Sequence, residues 1–239
     1  MKSDVDGLLL AAGKSTRTAP YFPQKCAVEV LFHGKVKTVL QHQIDMLLPA
    51  VKRLYVVVGW QKEMLGRLNG VRVLEYEPRG IADVWQRFLN ESSAMPKADF
   101  ILSVNADDLH FSSDYEMLAS KEETGVSVFF TKDRSLIDNC CAYEVDKDMN
   151  VVRVLGKKSG LQSGWVGTGC YLLERRLLKD VTFAVNEQTG EVEPDDVLKQ
   201  LLYKGETVKA YPVKSFVHVG DVDVLSRLYK EAVKVKTNG

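Results

Sequence analysis

The stretch Gly7-Leu8-Leu9-Leu10-Ala11-Ala12-Gly13-Lys14-Ser15-Thr16-Arg17 decides the fold. It begins as an apolar, strand-like run, Gly7 to Ala11, and passes without a break into a turn of small residues. Such a turn lets backbone N–H groups close on a phosphate, and Arg17 adds a charged fork suited to phosphate oxygens. Leu10, Ala11, Ala12, Gly13, Lys14, Ser15 and Thr16 are therefore candidate nucleotide-binding residues, with a triphosphate as the ligand. The turn is not a Walker loop, because Gly13-Lys14-Ser15 lacks the upstream glycine at the required spacing, and it lacks the G-x-G-x-x-G order of dinucleotide sites. Alone it is weak evidence, since glycine and serine end strands in most proteins.

Downstream, β-branched runs alternate with amphipathic stretches. The pattern predicts a helix over Thr38 to Leu48, a strand over Leu54 to Val58, a helix over Lys62 to Leu68, a strand over Val71 to Leu74 and a helix over Ile81 to Glu91. The runs Leu54 to Val58 and Phe100 to Val104 are continuously apolar, as strands covered on both faces must be. The first half thus reads as a doubly wound α/β unit. From Val126 onward shorter strands (Val126 to Phe130, Ala142 to Val145, Val151 to Leu155, Cys170 to Leu173) are separated by Gly-, Lys- and Asp-rich turns, which predicts a mixed or antiparallel half. A helix over Asp195 to Tyr203, a strand over Val208 to Tyr211 and a helix over Val222 to Val235 close the chain. With no repeat, low-complexity tract or linker, the expectation is one domain over 1–239, a nucleotide-binding half over about 1–125 and an acceptor half over about 126–239.

Bulk composition narrows the partners. The 239 residues, 45% hydrophobic, suffice for a substantial core, and 32 basic side chains cancel 32 acidic ones. No long run of one sign appears, so neither a nucleic-acid footprint nor a polybasic membrane anchor is expected. The first apolar stretch is too short for a bilayer span or a secretory signal. Cys26, Cys140, Cys141 and Cys170 lack C-x-x-C spacing, and a reducing cytoplasm is the simplest setting.

A second element, Pro23-Gln24-Lys25-Cys26-Ala27-Val28-Glu29-Val30, makes the first far more specific. Together they resemble the signature of the nucleotidyltransferase superfamily, L-A-A-G-x-G-T-R followed by (P/S)-K and an apolar strand. The resemblance implies a Rossmann-like doubly wound mixed sheet, the nucleotide-diphospho-sugar transferase fold. It also implies Arg17 and Lys25 as the residues that hold the triphosphate and neutralise charge building on the α-phosphate, with Lys25 the first choice for a catalytic residue. Two departures stand out. Ser15 replaces the second glycine, which suits a position that needs smallness rather than a positive φ, and Gln24 separates the proline from the lysine.

The strand Phe100 to Val104 ends in Asn105-Ala106-Asp107-Asp108, at the edge of a parallel sheet where α/β ligand sites lie. Asp107 is a natural Mg²⁺ ligand there, since this ion takes one or two carboxylates beside phosphate oxygens; the alternative is that the aspartates cap the turn. The family carries a similar aspartate after this strand. Glu75-Tyr76-Glu77-Pro78-Arg79-Gly80-Ile81-Ala82 resembles the family's Q-x-x-P-x-G-L-A segment, which reads the nucleobase. Glu75 occupies the glutamine position, and Gly80 would let the chain approach the base.

Three later segments look like those of thymidylyl- and uridylyltransferases acting on hexose 1-phosphates. Around Thr168-Gly169-Cys170-Tyr171 the resemblance implies Gly169 at the acceptor, with Lys157 for its phosphate; Lys158 competes for that role. Glu193, in Gly190-Glu191-Val192-Glu193, matches a glutamate that contacts sugar hydroxyls. Phe216-Val217-His218-Val219-Gly220-Asp221 resembles W-x-D-x-G-T, whose aspartate is the second Mg²⁺ ligand. Here that position is His218, which leaves the metal on Asp107 and phosphates, recruits Asp221, or shifts the preference to Mn²⁺. The expected partners are a nucleoside triphosphate and a small phosphorylated acceptor, with no nucleic acid or membrane, and a homodimer is the simplest assembly. The leading expectation is transfer to a sugar 1-phosphate. One alternative is a CTP-dependent cytidylyltransferase acting on a phospho-alcohol; another, motivated by His218 and Glu75, is a binding module that lost catalysis.

Overall fold

A computed structural model describes residues 4–18, 21–91 and 98–238. The strands of the first half are β1 (Val5–Ala11), β2 (Glu29–Phe32), β3 (Lys35–Thr38), β4 (Arg53–Val58), β5 (Arg72–Glu75), β6 (Phe100–Asn105) and β7 (Asp108–Leu109). Its helices are α1 (Val39–Leu47), α2 (Ile81–Glu91) and α3 (Ser112–Ala119). The second half adds β8 (Gly125–Thr131), α4 (Arg134–Asn139), β9 (Ala142–Val145), β10 (Val151–Gly156), β11 (Gly164–Glu174), α5 (Arg175–Leu178), α6 (Pro194–Tyr203), β12 (Lys209–Pro212), β13 (Val217–His218) and α7 (Val222–Asn238).

One sheet runs through both halves in the order β10-β9-β11-β6-β1-β4-β5, with β8 and β12 branching from β11. Strands β6, β1, β4 and β5 are mutually parallel, and β11 turns the sheet antiparallel against β6. The reason for the continuous apolar runs is visible in the packing. Leu8, Tyr55 and Val57 point into one core, while Leu9, Val56 and Val58 point into the other. Each of these residues is buried whichever way the pleat aims it. On one face α2 seats Trp85 and Phe88, both fully buried, and the Trp85 indole donates to Ser103 Oγ at 2.8 Å.

Several boundaries differ from expectation. The helix predicted over Lys62 to Leu68 is a short 3₁₀ turn, Lys62–Leu65, ended by Gly66 at φ +68°. Helices α3 and α4 lack a long amphipathic stripe and were not anticipated, nor was the β2–β3 hairpin, whose turn His33-Gly34 has two positive φ angles. The pairing β7–β13 joins segments more than 100 residues apart, which no local pattern foretells.

Candidate active site

The carboxyl ends of β1, β4, β5 and β6 open on a cavity of about 830 Å³. Leu10, Ala11, Ala12, Gly13, Lys14, Thr16 and Arg17 of the candidate phosphate loop line it. Ser15 does not. It is buried at φ +54°, its carbonyl accepts from Thr18, and its hydroxyl accepts the Lys25 backbone N–H at 3.3 Å. The position therefore adopts the positive φ that the second glycine of the signature would supply, contrary to the expectation of smallness alone.

Lys25 opens a 3₁₀ turn, Lys25–Ala27, capped by Gln24, whose Oε1 accepts from the Cys26 N–H at 3.2 Å. The turn aims Lys25 Nζ at Asp107 Oδ2, 2.5 Å away, and both residues face the cavity. Burial works against both charges, yet each outweighs it for the other. The Lys25 ammonium is raised above its ordinary range, and the Asp107 carboxyl is held down at about 2. At neutral pH the pair is an ammonium and a carboxylate.

The turn that carries Asp107 is held from below and from the side. Gln43 on α1 donates to the Asp108 carbonyl at 2.5 Å and accepts from the buried Tyr115 hydroxyl. Opposite Asp108, β13 places His218, and Val219 N–H donates to the Asp107 carbonyl at 2.8 Å. His218 Nδ1 lies 2.6 Å from Asp108 Oδ1, while Asn105 donates to Oδ2 at 3.1 Å. Asp108 thus stitches together the ends of three segments. His218 Nε2 is buried without a partner beside Gly220 and Arg17. Burial opposes charge on His218, but Asp108 and Asp107 outweigh it and raise its pKa.

Gly80, at φ +116°, lines the cavity, but a β-carbon there would meet the Val192 carbonyl at 2.6 Å. Its bareness thus serves the packing of the Glu77–Gly80 segment on the Val192 segment. Glu75 is not brought in: it pairs with Lys62 at the surface, and Glu77, two residues on along the chain, lines the cavity instead. Asp221 is likewise absent from the lining, its carboxylate accepting from Asp223 N–H at 2.7 Å at the start of α7.

At the far end Lys157, Gly169 and Glu193 line the cavity; Lys158 does not. Glu193 precedes Pro194 at the head of α6 and makes no side-chain cap bond. Asp195 and Asp196 lie in the first turn of α6, and burial raises the pKa of Asp195, which also lines the cavity with Cys141. Sequence reasoning missed Trp60, Cys140 and Cys141 in the lining, and Gln43 and His110 behind it; His110 contacts the Thr168 carbonyl at 2.8 Å. These are single residues outside any motif. Among the described residues no group of three or more His, Cys, Asp and Glu side chains is placed to hold a metal ion, and no helix is long and apolar enough to cross a membrane.

This geometry agrees with what the chain resembles. The profile of the MobA-like NTP transferase domain family matches residues 7–160. The chain belongs to that family. The matched stretch includes the phosphate loop, Lys25, Glu77–Gly80, the Asp107 turn and Lys157. Curated relatives are the bifunctional protein GlmU of Methanococcus maripaludis strain C7, 26% identical over 212 residues (84% of this chain and 48% of the relative), and that of Methanocaldococcus jannaschii, 24% identical over 214 residues (89% and 50%). The chain spans about half the length of these relatives. Similarly folded structures include the inositol-1-phosphate CTP transferase from T. maritima, TM-score 0.70 at 18% identity over 97% of this chain and 96% of that one. Another is a candidate glucose-1-phosphate thymidylyltransferase from Bacillus anthracis in complex with sucrose, TM-score 0.72 at 17% identity over 95% of each chain. The NTP transferase fold is thus common to chains whose sequences have diverged widely.

Proposed function

We propose that this NTP transferase domain moves a nucleotidyl group from a nucleoside triphosphate to a sugar 1-phosphate and releases pyrophosphate. The observation that carries this reading is the Lys25–Asp107 contact, a fixed cation and a fixed anion on the wall of a cavity shared by the phosphate loop and the β11–α6 end. A cavity of about 830 Å³ is near the upper end of ordinary small-molecule sites, roughly 300–1,000 Å³, which suits two substrates held together.

In this reading the phosphate loop and Arg17 hold the triphosphate, and Lys157 holds the acceptor phosphate. The acceptor oxygen attacks the α-phosphorus in line, and Lys25 stabilises the charge that grows there. Glu193, an acceptor-only carboxylate free of cap duty, suits sugar hydroxyls. No covalent enzyme intermediate is needed.

Asp107 fits a divalent cation: it stays ionised at neutral pH and faces the cavity. With no group of three protein ligands among the described residues, phosphate oxygens and water would complete the shell, which is how Mg²⁺ is usually bound. Bound there, the cation supplies neutralisation of the repulsion between the two anions. His218 lines the same cavity and its Nε2 is buried without a partner; a nitrogen donor suits Mn²⁺ better than Mg²⁺. Asp221 is engaged at α7 and has no part in the metal reading. The four free thiols agree with a reducing, cytoplasmic setting.

The test is pyrophosphate release from CTP, UTP, dTTP, GTP and ATP, with Mg²⁺ or Mn²⁺, against a panel of sugar 1-phosphates and phospho-alcohols. Release that needs one nucleotide and one sugar 1-phosphate supports the proposal. Release with a phospho-alcohol alone moves the acceptor to that class, and silence across the panel removes the transferase reading.

A further inference from the structure

The chain has three tryptophans. Trp85 is fully buried in the core, and Trp165 is partly buried with its ring centroid 5.4 Å from that of Phe130. Trp60 differs: it is 49% exposed, and it lines the cavity of the candidate active site.

The fold holds it there by several independent contacts. Gly59, just before it, is wedged so tightly that a β-carbon would lie 2.4 Å from the Tyr76 carbonyl and 3.1 Å from Ala12 Cβ. The Trp60 turn therefore emerges between the phosphate loop and the Glu77–Gly80 segment. Lys62 N–H closes the turn on the Gly59 carbonyl at 3.2 Å, and Gln61 takes φ +50°, a left-handed conformation that non-glycine residues hold only where the surroundings impose it. Lys62 pairs with Glu75 at the end of β5. Gln24, 1% exposed, donates from Nε2 to the Trp60 carbonyl at 2.7 Å while its Oε1 caps the Lys25 turn. One buried amide thereby ties the tryptophan turn to the lysine turn.

We infer that the Trp60 ring is the platform on which the nucleobase stacks, and that Gln24 is the positioning residue that fixes this platform relative to Lys25. The inference rests on the nucleotidyltransferase reading. In that reading the base lies toward the Glu77–Gly80 segment, and Trp60, whose turn emerges between that segment and the phosphate loop, is a half-exposed aromatic residue of the cavity lining. A stacked base gains affinity whatever its identity, because every base has a π-face. Base discrimination then falls to the groups of Glu77–Gly80. The surface position of Glu75, away from the cavity, accords with that division, and so does the insertion of Gln24 between Pro23 and Lys25.

The experiment is intrinsic fluorescence titration of the full chain with CTP, UTP, dTTP, GTP and ATP in the presence of Mg²⁺, and with inorganic pyrophosphate as the ligand without a base. Nucleotides should quench the emission and pyrophosphate should not. Trp60→Leu should abolish the quench and weaken nucleotide binding, followed by calorimetry, about tenfold or more, with pyrophosphate affinity unchanged; Trp60→Phe should restore most of the loss. Gln24→Glu keeps the acceptor for Cys26 and loses the donor to Trp60, so nucleotide affinity should fall severalfold at unchanged pyrophosphate affinity. Wild-type nucleotide affinity in Trp60→Leu would overturn the inference and leave the transferase reading standing. A wild-type protein that binds none of the five nucleotides would overturn both. Loss of pyrophosphate affinity in Gln24→Glu would show a distorted lysine turn and remove the positioning role.

Discussion

Gly169 and Asp108 contend for the same space: a β-carbon on Gly169 would fall 2.1 Å from Asp108 Oδ2 and 2.7 Å from Asn105 Nδ2. Gly169 also has φ +76° and lies where β11 slips register against β8 between Gly167 and Tyr171. The irregularity lets β11 pass the carboxylate that holds His218. Gly169→Ala should therefore displace Asp108 and cost roughly 2–4 kcal/mol, the sum of a left-handed alanine and a disrupted buried hydrogen-bond set. Asp108→Ala removes the obstacle. In a double-mutant cycle by urea denaturation, Gly169→Ala should cost clearly less on the Asp108→Ala background than alone; additive costs would refute the steric coupling.

Ser15 combines a left-handed backbone, which glycine would hold without strain, with a hydroxyl that accepts from Lys25 N–H. Ser15→Gly relieves the strain, which stabilises, but frees the unfolded chain and drops that hydrogen bond, which both destabilise, each effect being about 1 kcal/mol. Ser15→Ala keeps the strain and loses the bond. Thermal melts should place Ser15→Ala about 1 kcal/mol below wild type and Ser15→Gly within about 1 kcal/mol of it; a Ser15→Ala protein as stable as wild type would mean that the hydroxyl does not matter.

How far the sequence spoke for the structure follows from the range of the forces involved. Parallel strands announce themselves because Leu54 to Val58 must be apolar on both faces, and α2 because its apolar stripe is long. The loop residues and Asp107 were legible because each follows directly from a strand end. Glu75 was not: its place beside the glutamine of the signature is a matter of alignment, whereas its side chain is drawn outward by Lys62 on a neighbouring turn. The His218–Asp108 pair depends on a two-residue ladder between distant segments, and Gln43 and Trp60 act through contacts with no spacing rule.

Lys25→Ala should lower turnover at least about a hundredfold, the usual effect of removing one preorganised charge-stabilising group. Without the ammonium, the buried Asp107 carboxylate loses what holds its pKa near 2, and that pKa should rise toward or beyond the ordinary range. Pyrophosphate-release kinetics on a variant with native circular dichroism checks the first effect, and carboxyl NMR titration of the metal-free protein checks the second. A folded Lys25→Ala protein with near-wild-type turnover would dispose of the proposed role.

His218 and Asp221 are separated by the same kind of argument. Nδ1 of His218 is held by Asp108, as metal-bound imidazoles are held by carboxylates, and Nε2 is left free, whereas the Asp221 carboxylate is committed to the α7 backbone. His218→Asp replaces the nitrogen donor by oxygen, and the variant should bind Mg²⁺ more tightly relative to Mn²⁺ than the wild type does, read as the ratio of the two metals' affinities in the presence of nucleotide. Asp221→Ala should cost about 1 kcal/mol of stability through the lost cap and leave that ratio unchanged. Pulsed electron paramagnetic resonance of the Mn²⁺–nucleotide complex supplies the direct check: a ¹⁴N coupling present in wild type and absent in His218→Asp places the imidazole on the metal. Its absence from the wild type would leave the cation on Asp107 and phosphate oxygens alone.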